Sequence, residues 1–283
     1  MTLNPLLPLM YEPLVRTALL EDLGRAGDIT ADAIVPANQQ ARLEMRARQT
    51  GVVAGLDVAR CAFQTVSPHI NLRAERPDGS AVEPGQVIAT IDGPARGLLT
   101  GERTALNFLC HLSGVASATA TLVRAVKGTS AQIVCTRKTT PGLRALEKYA
   151  VRAGGGGNHR FGLDDAVLIK DNHIAIAGSI ATAIQRAKAN AGHMVKIEIE
   201  VDTLAQLDEA LSLGVDAVLL DNMTIEQLAQ AVKMADGKVI TEASGRITAA
   251  TAPAIAATGV DLISVGWVTH SSAALDIGLD YLS

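Results

Sequence analysis

Residues 135–173 read CTRKTTPGLRALEKYAVRAGGGGNHRFGLDDAVLIKDNH, a run crowded with cationic side chains. Two short apolar segments of this region, IVC and AVLI, end just before cations: Arg137 and Lys138 follow the first, and Lys170 follows the second. Parallel α/β folds place their binding groups at the carboxyl ends of strands. The stretch therefore predicts two such strands and a pocket for a small ligand with several negative charges.

The composition indicates a globular protein that acts on small molecules. The chain has 283 residues, 48% of them hydrophobic, which is enough for two domains or for one barrel with an appendage. Only 2% of the residues are aromatic, the net charge is -4 and there is no basic run, so we expect neither a nucleic acid nor a membrane partner.

The cysteines and the N-terminus predict a cytoplasmic protein. Cys61, Cys110 and Cys135 show no CxxC spacing and lie in apolar contexts, as reduced and buried thiols do. The first residues lack a charged segment followed by an apolar core. No apolar run approaches the length of about 18 residues needed to cross a bilayer.

The first hundred residues predict a small α+β unit. Helices are expected over 14–23 and 57–66, a strand over 41–53, and short strands between the PDG and EPG turns. A long helical pattern then covers 98–126. We predict a break in it near Ser113 and Gly114, and a change of domain there.

From residue 131 onward the pattern repeats as six β/α units. The predicted strands are 133–135, 166–169, 195–201, 216–220, 238–243 and 262–266. Helices are expected to begin near Pro141, Ser179, Thr203, Thr224 and Thr248, and Thr203 and Thr224 each precede a Gln by three residues, as in capping boxes. Apolar strands between amphipathic helices predict a parallel sheet, either a complete or incomplete (β/α) barrel or an open doubly wound sheet.

Polar residues end the predicted strands. After Arg137, Lys138 and Lys170 come Glu200, Asp221 and Glu242. A barrel places all these ends on one rim, so cations would face carboxylates across a single mouth. Glu200 and Asp221 suit Mg²⁺, which binds one or two protein carboxylates together with substrate phosphate oxygens.

Two glycine-containing turns complete this rim, EASGR at 242–246 and SVGWVTHS at 264–271. Backbone N–H groups in such turns can hold a phosphate. Either turn alone would be ordinary loop chemistry. At consecutive strand ends they predict a phosphate site.

Other polar residues have simpler interpretations. Arg144, Lys148 and Arg152 recur every four residues and predict a solvated helix stripe. His173 would either cap a helix or bind substrate. The GGGG at 154–157 is a hinge, a helix stop or a loop that closes over a ligand, and the NHR after it favours the loop.

Taken together, these blocks resemble the quinolinate phosphoribosyltransferase family. The resemblance runs from EDLGRAGDIT at 21 through LTGERTALNFLCHLSGVAS, TRKTTPGLRALEKYAVRAGGGGNHRFGLDDAVLIKDNH, EIEVD, LLDN, EASG and SVGWVTHS to LDIGLD at 275. It implies transfer of a phosphoribosyl group from phosphoribosyl pyrophosphate to quinolinate, with release of CO₂ and pyrophosphate. The implied fold is an N-terminal α/β sandwich domain (1–114), an incomplete barrel with the active site (115–270), and a C-terminal segment (271–283) that packs on the first domain.

The resemblance also implies roles for residues. Arg137, Lys138, His159, Arg160 and Lys170 would line the quinolinate and phosphoribosyl pockets. Arg103 would reach the partner's site in a homodimer. Glu200 and Asp221 would lie near the ribose and Mg²⁺. The 5'-phosphate would be bound by Ser244, Gly245 and Gly266.

The catalytic assignments go to Glu200, Asp221 and two lysines. A Glu200 or Asp221 carboxylate would favour the cationic state at the anomeric carbon. We hypothesise that Lys138 or Lys170 assists the loss of CO₂ or supplies a proton.

Two positions depart from the family pattern. Arg246 stands where Gly or Asn is usual, and it would either contact the 5'-phosphate or point to solvent. Trp267 stands where Ala is usual, and it would pack behind the loop.

Three other functions are open to a chain of this kind. A molybdenum-transport-associated relative shares the fold, but NHR followed by KDNH favours the quinolinate enzyme. A Schiff-base lysine at Lys138 or Lys170 would suit an aldolase, which the excess of arginines disfavours. A non-catalytic anion-binding protein would have no use for Glu200 and Asp221.

Overall fold

The computed structural model describes residues 3–281, and the chain divides into two compact units. Unit 1 comprises Met1–Ala120, Thr139–Gly155 and Val268–Ser283, and unit 2 comprises Thr121–Lys138 and Gly156–Trp267. The predicted bounds of 1–114, 115–270 and 271–283 differ from this division because residues 115–120, 139–155 and 268–270 belong to unit 1. There the Tyr149 hydroxyl donates a 2.6 Å hydrogen bond to Asp78.

The helices alternate with strands along most of the chain. They are α1 Glu12–Leu23, α2 Ile29–Ile34, α3 Leu56–Val66, α4 Ala95–Ala125, α5 Arg144–Ala153, α6 Asp171–Ala177, α7 Ile180–Asn190, α8 Leu204–Ser212, α9 Ile225–Ala235 and α10 Ala252–Ala256, with 3₁₀ turns at Pro8–Met10 and Trp267–Thr269. The strands are β1 Gln40–Ala47, β2 Gly51–Val52, β3 Asn71–Ala74, β4 Ala81–Val82, β5 Val87–Pro94, β6 Gln132–Val134, β7 Val167–Ile169, β8 Ile197–Val201, β9 Ala217–Asp221, β10 Ile240–Ser244, β11 Leu262–Ser264 and β12 Ile277–Tyr281.

Unit 1 contains an antiparallel sheet in the order β12-β1-β5-β3. Met45 of β1, Ile91 of β5 and Phe63 of α3 are fully buried in its core. The C-terminal strand β12 lies along β1 with Leu43 opposite Tyr281. The last residues of the described chain thus belong to the same unit as the first strands.

Helix α4 is one continuous helix of 31 residues, so the predicted break near Ser113 and Gly114 is wrong. The Ser113 hydroxyl accepts a 3.0 Å hydrogen bond from the Ala54 backbone N–H. A Cβ on Gly114 would lie 2.2 Å from the Ala273 carbonyl oxygen. Because Ser113 and Gly114 are small, the backbone at Ala54 and Ala273 can lie close to the helix. The two residues do not interrupt the helix.

The same helix corrects the expectation that no segment is long and apolar enough to cross a bilayer. Helix α4 is long and apolar enough to cross a bilayer, but 56% of its most apolar 18-residue stretch is buried inside the protein. Its apolar residues Leu98, Leu109 and Leu112 are fully buried. They make it a core helix.

Unit 2 is built on six parallel strands in the order β6-β11-β10-β9-β8-β7. Strands β7 to β11 follow one another in chain order, whereas a doubly wound sheet reverses its order at the centre. Within residues 3–281, β6 and β7 do not pair with each other. The sheet is the predicted incomplete barrel.

The capping boxes predicted at the start of two helices are confirmed. Thr203 and Thr224 each accept from the backbone N–H three residues on, and both capping boxes form. The solvated stripe predicted on α5 is wrong for Lys148, which is only 1% exposed. Glu147 beside it is fully buried and accepts hydrogen bonds from His111 Nε2 at 2.9 Å and Thr140 N at 3.0 Å.

Candidate active site

A cavity of about 420 Å³ opens at the carboxyl ends of the parallel strands in unit 2. Nine of the residues predicted from strand ends, loops and turns lie in its lining. Its lining is Thr136, Arg137, Lys138, His159, Arg160, Leu168, Lys170, Glu200, Leu219, Asp221, Glu242, Ser244 and Ser264.

The register of the sheet explains why the acids meet. Glu200 lies opposite Leu219 on the neighbouring strand, and Leu219 lies opposite Glu242 on the next. Because alternate strand residues share a face, Asp221 and Ser244, which pair with each other, form the next level towards the rim. Strand geometry alone therefore gathers these side chains in one cavity.

Arg137 and Arg160 give the cavity an anion-binding wall. The Nε atoms of both are buried and, among the described residues, have no hydrogen-bond partner. Burial and the neighbouring Arg137 charge lower the pKa of Arg160. Two half-buried guanidinium groups with unused Nε donors suit a negatively charged ligand, and carboxylates match their planar geometry.

Lys170 and Glu200 form an ion pair across neighbouring strand ends. The Glu200 side chain is only 15% exposed, whereas that of Lys170 is 44% exposed. At the next strand end, Asp221 accepts a 2.6 Å hydrogen bond from Asn222 Nδ2. Glu200 and Asp221 both offer hard oxygen atoms to the cavity, so the donor set fits Mg²⁺.

His159 lies deeper, with both ring nitrogens directed to protein groups. Its Nδ1 accepts the Arg160 backbone N–H at 2.7 Å, and its Nε2 lies 3.0 Å from Glu198 Oε2 and 3.6 Å from Glu242 Oε2. This arrangement ties the loop carrying His159 and Arg160 to β8 and β10.

Glu242 is the most buried acid of the cavity, at 1% exposure. Its Oε1 has no hydrogen-bond partner among the described residues. Burial and the charge of Glu198 raise the pKa of Glu242 to about 7. Glu242 therefore keeps its proton to a higher pH than an ordinary glutamic acid does.

The first predicted phosphate turn follows β10. Gly245 has φ +115°, and a Cβ there would lie 2.3 Å from Asn222 Oδ1. Arg246 also has a positive φ, 44°, and is exposed. Ser244 lines the cavity, whereas Gly245 and Arg246 do not.

The second turn follows β11 and is joined to the first. A Cβ on Gly266 would lie 3.0 Å from Lys138 Cδ, so the glycine allows the lysine to pack against this turn. Trp267 Nε1 donates a 2.9 Å hydrogen bond to the Ile247 carbonyl oxygen. Trp267 thus packs behind the turns, as predicted, and links them.

Arg103 does not line this cavity. It is exposed on α4 and lines a second cavity of about 340 Å³ within unit 1, together with Glu21, Asp22 and His111.

His173 has a structural role, and two polar residues of the site, Glu198 and Ser264, were not predicted from the sequence. His173 caps α6, because its Nδ1 accepts the Lys170 backbone N–H at 2.9 Å. Glu198 was missed, although a signal was present: Glu198 and Glu200 are two residues apart in a buried strand and so share its inner face. Ser264, the last residue of β11, also lines the cavity, and a serine at a strand end gives no such signal.

Comparison with known proteins assigns both parts of the chain. The quinolinate phosphoribosyl transferase C-terminal domain matches residues 115–280, and the N-terminal domain of the same enzyme matches residues 28–113. The chain belongs to the quinolinate phosphoribosyl transferase family. Its relatives include the nicotinate-nucleotide pyrophosphorylase of Mycobacterium leprae, 47% identical over 94% of this chain and 95% of that protein. The probable nicotinate-nucleotide pyrophosphorylase of Bacillus subtilis is 44% identical over 96% and 93%.

Solved structures of this family share the whole fold. NadC from Streptococcus pyogenes matches with a TM-score of 0.94 and 41% identity, covering 99% of this chain and 100% of that one. The nicotinate-nucleotide pyrophosphorylase of Francisella tularensis gives a TM-score of 0.95 at 39% identity, covering 100% and 99%. The quinolinate phosphoribosyl transferase family therefore accounts for both units and for the incomplete barrel.

Proposed function

We propose that this protein transfers the phosphoribosyl group of phosphoribosyl pyrophosphate to quinolinate, giving nicotinate mononucleotide, CO₂ and pyrophosphate in NAD biosynthesis. The observation that carries the proposal is the pair of half-buried arginines, Arg137 and Arg160, whose buried Nε donors have no partner among the described residues. Quinolinate has two adjacent carboxylates, and two neighbouring guanidiniums bind such a ligand by charge-assisted hydrogen bonds.

The lysines of the rim would bind negative charge on the substrates, and the acids would stabilise positive charge. Lys138 and Lys170 line the cavity and would hold the negative charge of the two substrates. Glu200 and Asp221 would stabilise positive charge that develops at the anomeric carbon as pyrophosphate departs. Since Lys170 pairs with Glu200, it is held as an ammonium ion, which suits anion binding better than Schiff-base chemistry.

Glu200 and Asp221 would also hold Mg²⁺. The ion would neutralise the departing pyrophosphate. The two acids lie on the adjacent strands β8 and β9 and line the same cavity.

The turns after β10 and β11 would bind the 5'-phosphate. Ser244 offers a hydroxyl at the cavity wall, and Gly245 and Gly266 allow close approach of the backbone. Arg246, next to Gly245, would add a charge-assisted contact from the rim.

We further propose a cytoplasmic homodimer in which Arg103 of each subunit reaches the site of its partner. Exposure of Arg103 on α4 supports this role. So do the exposed apolar side chains of Leu7, Leu9 and Leu20 in the same unit, which a partner surface would cover.

The test is incubation of the purified chain with quinolinate, phosphoribosyl pyrophosphate and Mg²⁺, followed by assay of nicotinate mononucleotide and CO₂. Nicotinate serves as the comparison substrate, and its turnover in place of quinolinate would refute the proposal. Arg160→Gln should raise the Michaelis constant for quinolinate by about 10- to 100-fold, the effect of one charged hydrogen bond. Arg186→Gln, at an exposed position of α7, is the matched control.

A further inference from the structure

Three polar side chains form a buried cluster at the floor of the cavity: His159, Glu198 and Glu242. Glu198 is 9% exposed and Glu242 1%. Their ligand atoms lie within 4.8 Å of one another, which is a spacing that a metal ion could also use. The hydrogen bonds of His159 decide between a metal and a proton.

The imidazole of His159 cannot bind a metal in this arrangement. Its Nδ1 accepts the Arg160 backbone N–H at 2.7 Å, so that nitrogen carries no proton. The ring proton is therefore on Nε2, which donates to Glu198 Oε2 at 3.0 Å. A nitrogen that donates a proton has no lone pair for a cation.

Glu242 is left as the neutral member of the cluster. Its Oε2 is 3.6 Å from His159 Nε2, too far for a hydrogen bond, and its Oε1 has no partner among residues 3–281, so the Ser264 hydroxyl is the hydrogen-bonding side chain that faces it. Burial and the neighbouring Glu198 disfavour the ionised form of Glu242 at this position. The pKa of Glu242, raised to about 7 by burial and by Glu198, agrees with this assignment.

A neutral acid is also what the proposed substrate demands. A dianion held by Arg137 and Arg160 would be repelled by a second buried negative charge in the same cavity. A protonated Glu242 avoids this repulsion and presents an O–H group to the cavity that it lines.

We propose that Glu242 is the acid that protonates the ring carbon exposed by loss of CO₂. This inference rests on the proposed function. In the step, the bond between ring carbon C2 and its carboxylate breaks, CO₂ leaves, and the electron pair stays on C2 beside the positive ring nitrogen. The Glu242 O–H proton passes to C2, leaving a Glu242 carboxylate that takes up a proton from solvent before the next turnover.

Glu242 replaces the lysines in this role. Lys170 is paired with Glu200, and an ion pair with a carboxylate stabilises the ammonium form and so makes it a weaker proton donor. Lys138 is exposed, where water competes with it as a donor. Glu242 is the acid that combines burial with contact to the cavity.

The test separates the two halves of the reaction in the full-length protein. In a single turnover with quinolinate, phosphoribosyl pyrophosphate and Mg²⁺, pyrophosphate release reports transfer, and CO₂ release reports decarboxylation. Glu242→Gln, which matches the shape of the neutral acid, should leave pyrophosphate release within about 3-fold of the wild type and slow CO₂ release by about 100-fold or more, as loss of a general acid does. Ribosylated quinolinate that still carries both carboxylates should accumulate.

Controls keep the outcome decisive. Glu226→Gln, on the exposed face of α9, should release both products at wild-type rates. If Glu242→Gln does not fold, as judged by circular dichroism, Glu242→Asp keeps an acid that is one methylene too short and should still slow CO₂ release selectively.

Each result has one interpretation. Equal rates of CO₂ and pyrophosphate release in the Glu242 variant, whether both normal or both slowed, would overturn the assignment while leaving the proposed function intact. A wild-type protein that releases no pyrophosphate from these substrates would refute the proposed function itself.

Discussion

Arg246 is held in a conformation that arginine rarely adopts. Its φ of 44° lies in the left-handed region, where Gly and Asn fit with less strain. Such strain costs on the order of 1–3 kcal/mol and persists where the surroundings enforce it. A charged side chain kept at that cost beside Gly245 is consistent with a contact to substrate phosphate.

Replacing Arg246 should therefore change stability and binding in opposite directions. We expect Arg246→Gly to raise the midpoint of thermal unfolding, because backbone strain is relieved. It should also weaken phosphoribosyl pyrophosphate binding by about 1.5–3 kcal/mol, the value of one charged hydrogen bond. Calorimetry and the Michaelis constant for that substrate measure the two effects.

Asp236 provides the matched control for this substitution. It has φ 50°, ends α9 and is exposed, outside the cavity lining. Asp236→Gly should give the same gain in stability with no change in substrate binding. A Michaelis constant that stays unchanged in Arg246→Gly would rule out the phosphate contact.

Glu242 should also give the folded state a pH dependence. Its pKa rises from an ordinary 4.5 to about 7 on folding, so between these values the folded state binds more protons than the unfolded state. The stability contribution is fully present below about pH 4.5 and is lost as pH rises through 7. The groups that face Glu242 are Glu198 on β8, Ser264 on β11, His159 in its loop, and Lys170 after β7.

Urea unfolding of the wild type and of Glu242→Gln across pH 4 to 8 measures this effect. The stability of the wild type relative to the variant should fall between pH 4.5 and 7 and be constant on either side. Parallel curves would mean that Glu242 titrates at its ordinary pKa.

The sequence predicts the rim of the cavity better than its floor. Lys170, Glu200 and Asp221 end strands or follow them directly, and a strand end is visible in the hydrophobic pattern. The contact of His159 with Glu198 instead depends on a loop that returns to β8, 39 residues further along the chain. No local pattern encodes such a return.

At the scale of elements, Gly114 in helix α4 allows a neighbouring segment to pack closely against the helix. Gly114→Ala should gain up to about 1 kcal/mol of helix propensity but lose more, because a Cβ would lie 2.2 Å from the Ala273 carbonyl oxygen. We expect a net loss of about 1–3 kcal/mol in the free energy of unfolding, as in other overpacked cores. Denaturant unfolding gives this value.

Gly97 on the same helix is the control. A Cβ there would first meet the far end of the Ile70 side chain, at 3.1 Å, which can move aside. Gly97→Ala should be neutral or stabilising. If both alanine variants behave alike, the approach of Ala273 does not determine why residue 114 is glycine.

The contrast between α4 and the later helices explains which elements were predictable. The helices after Thr203 and Thr224 begin where predicted because each capping box is complete within four residues. The continuity of α4 through Gly114 depends on a segment about 160 residues away, at Ala273. Read locally, a glycine in a helix indicates a break.

At the scale of the whole molecule, the proposed homodimer would build each site from two chains. Arg103 belongs to unit 1, whereas Arg137 and Arg160 belong to unit 2. If Arg103 serves the partner's site, each site takes its Arg137 from one chain and its Arg103 from the other. Arg137→Ala then damages the site of the chain that carries it, whereas Arg103→Ala damages the site of the partner chain. Each variant alone should then be nearly inactive as a homodimer.

Mixed dimers of the two variants test this arrangement. In a heterodimer one site receives both substitutions, and the other site receives neither. Co-expression of the two chains with different affinity tags should restore about one quarter of wild-type activity, because half of randomly formed dimers are mixed and each has one intact site. Tandem purification of the mixed dimer should raise this to about one half. Activity no higher than the mean of the two single variants would place Arg103 in the site of its own chain or outside the site altogether.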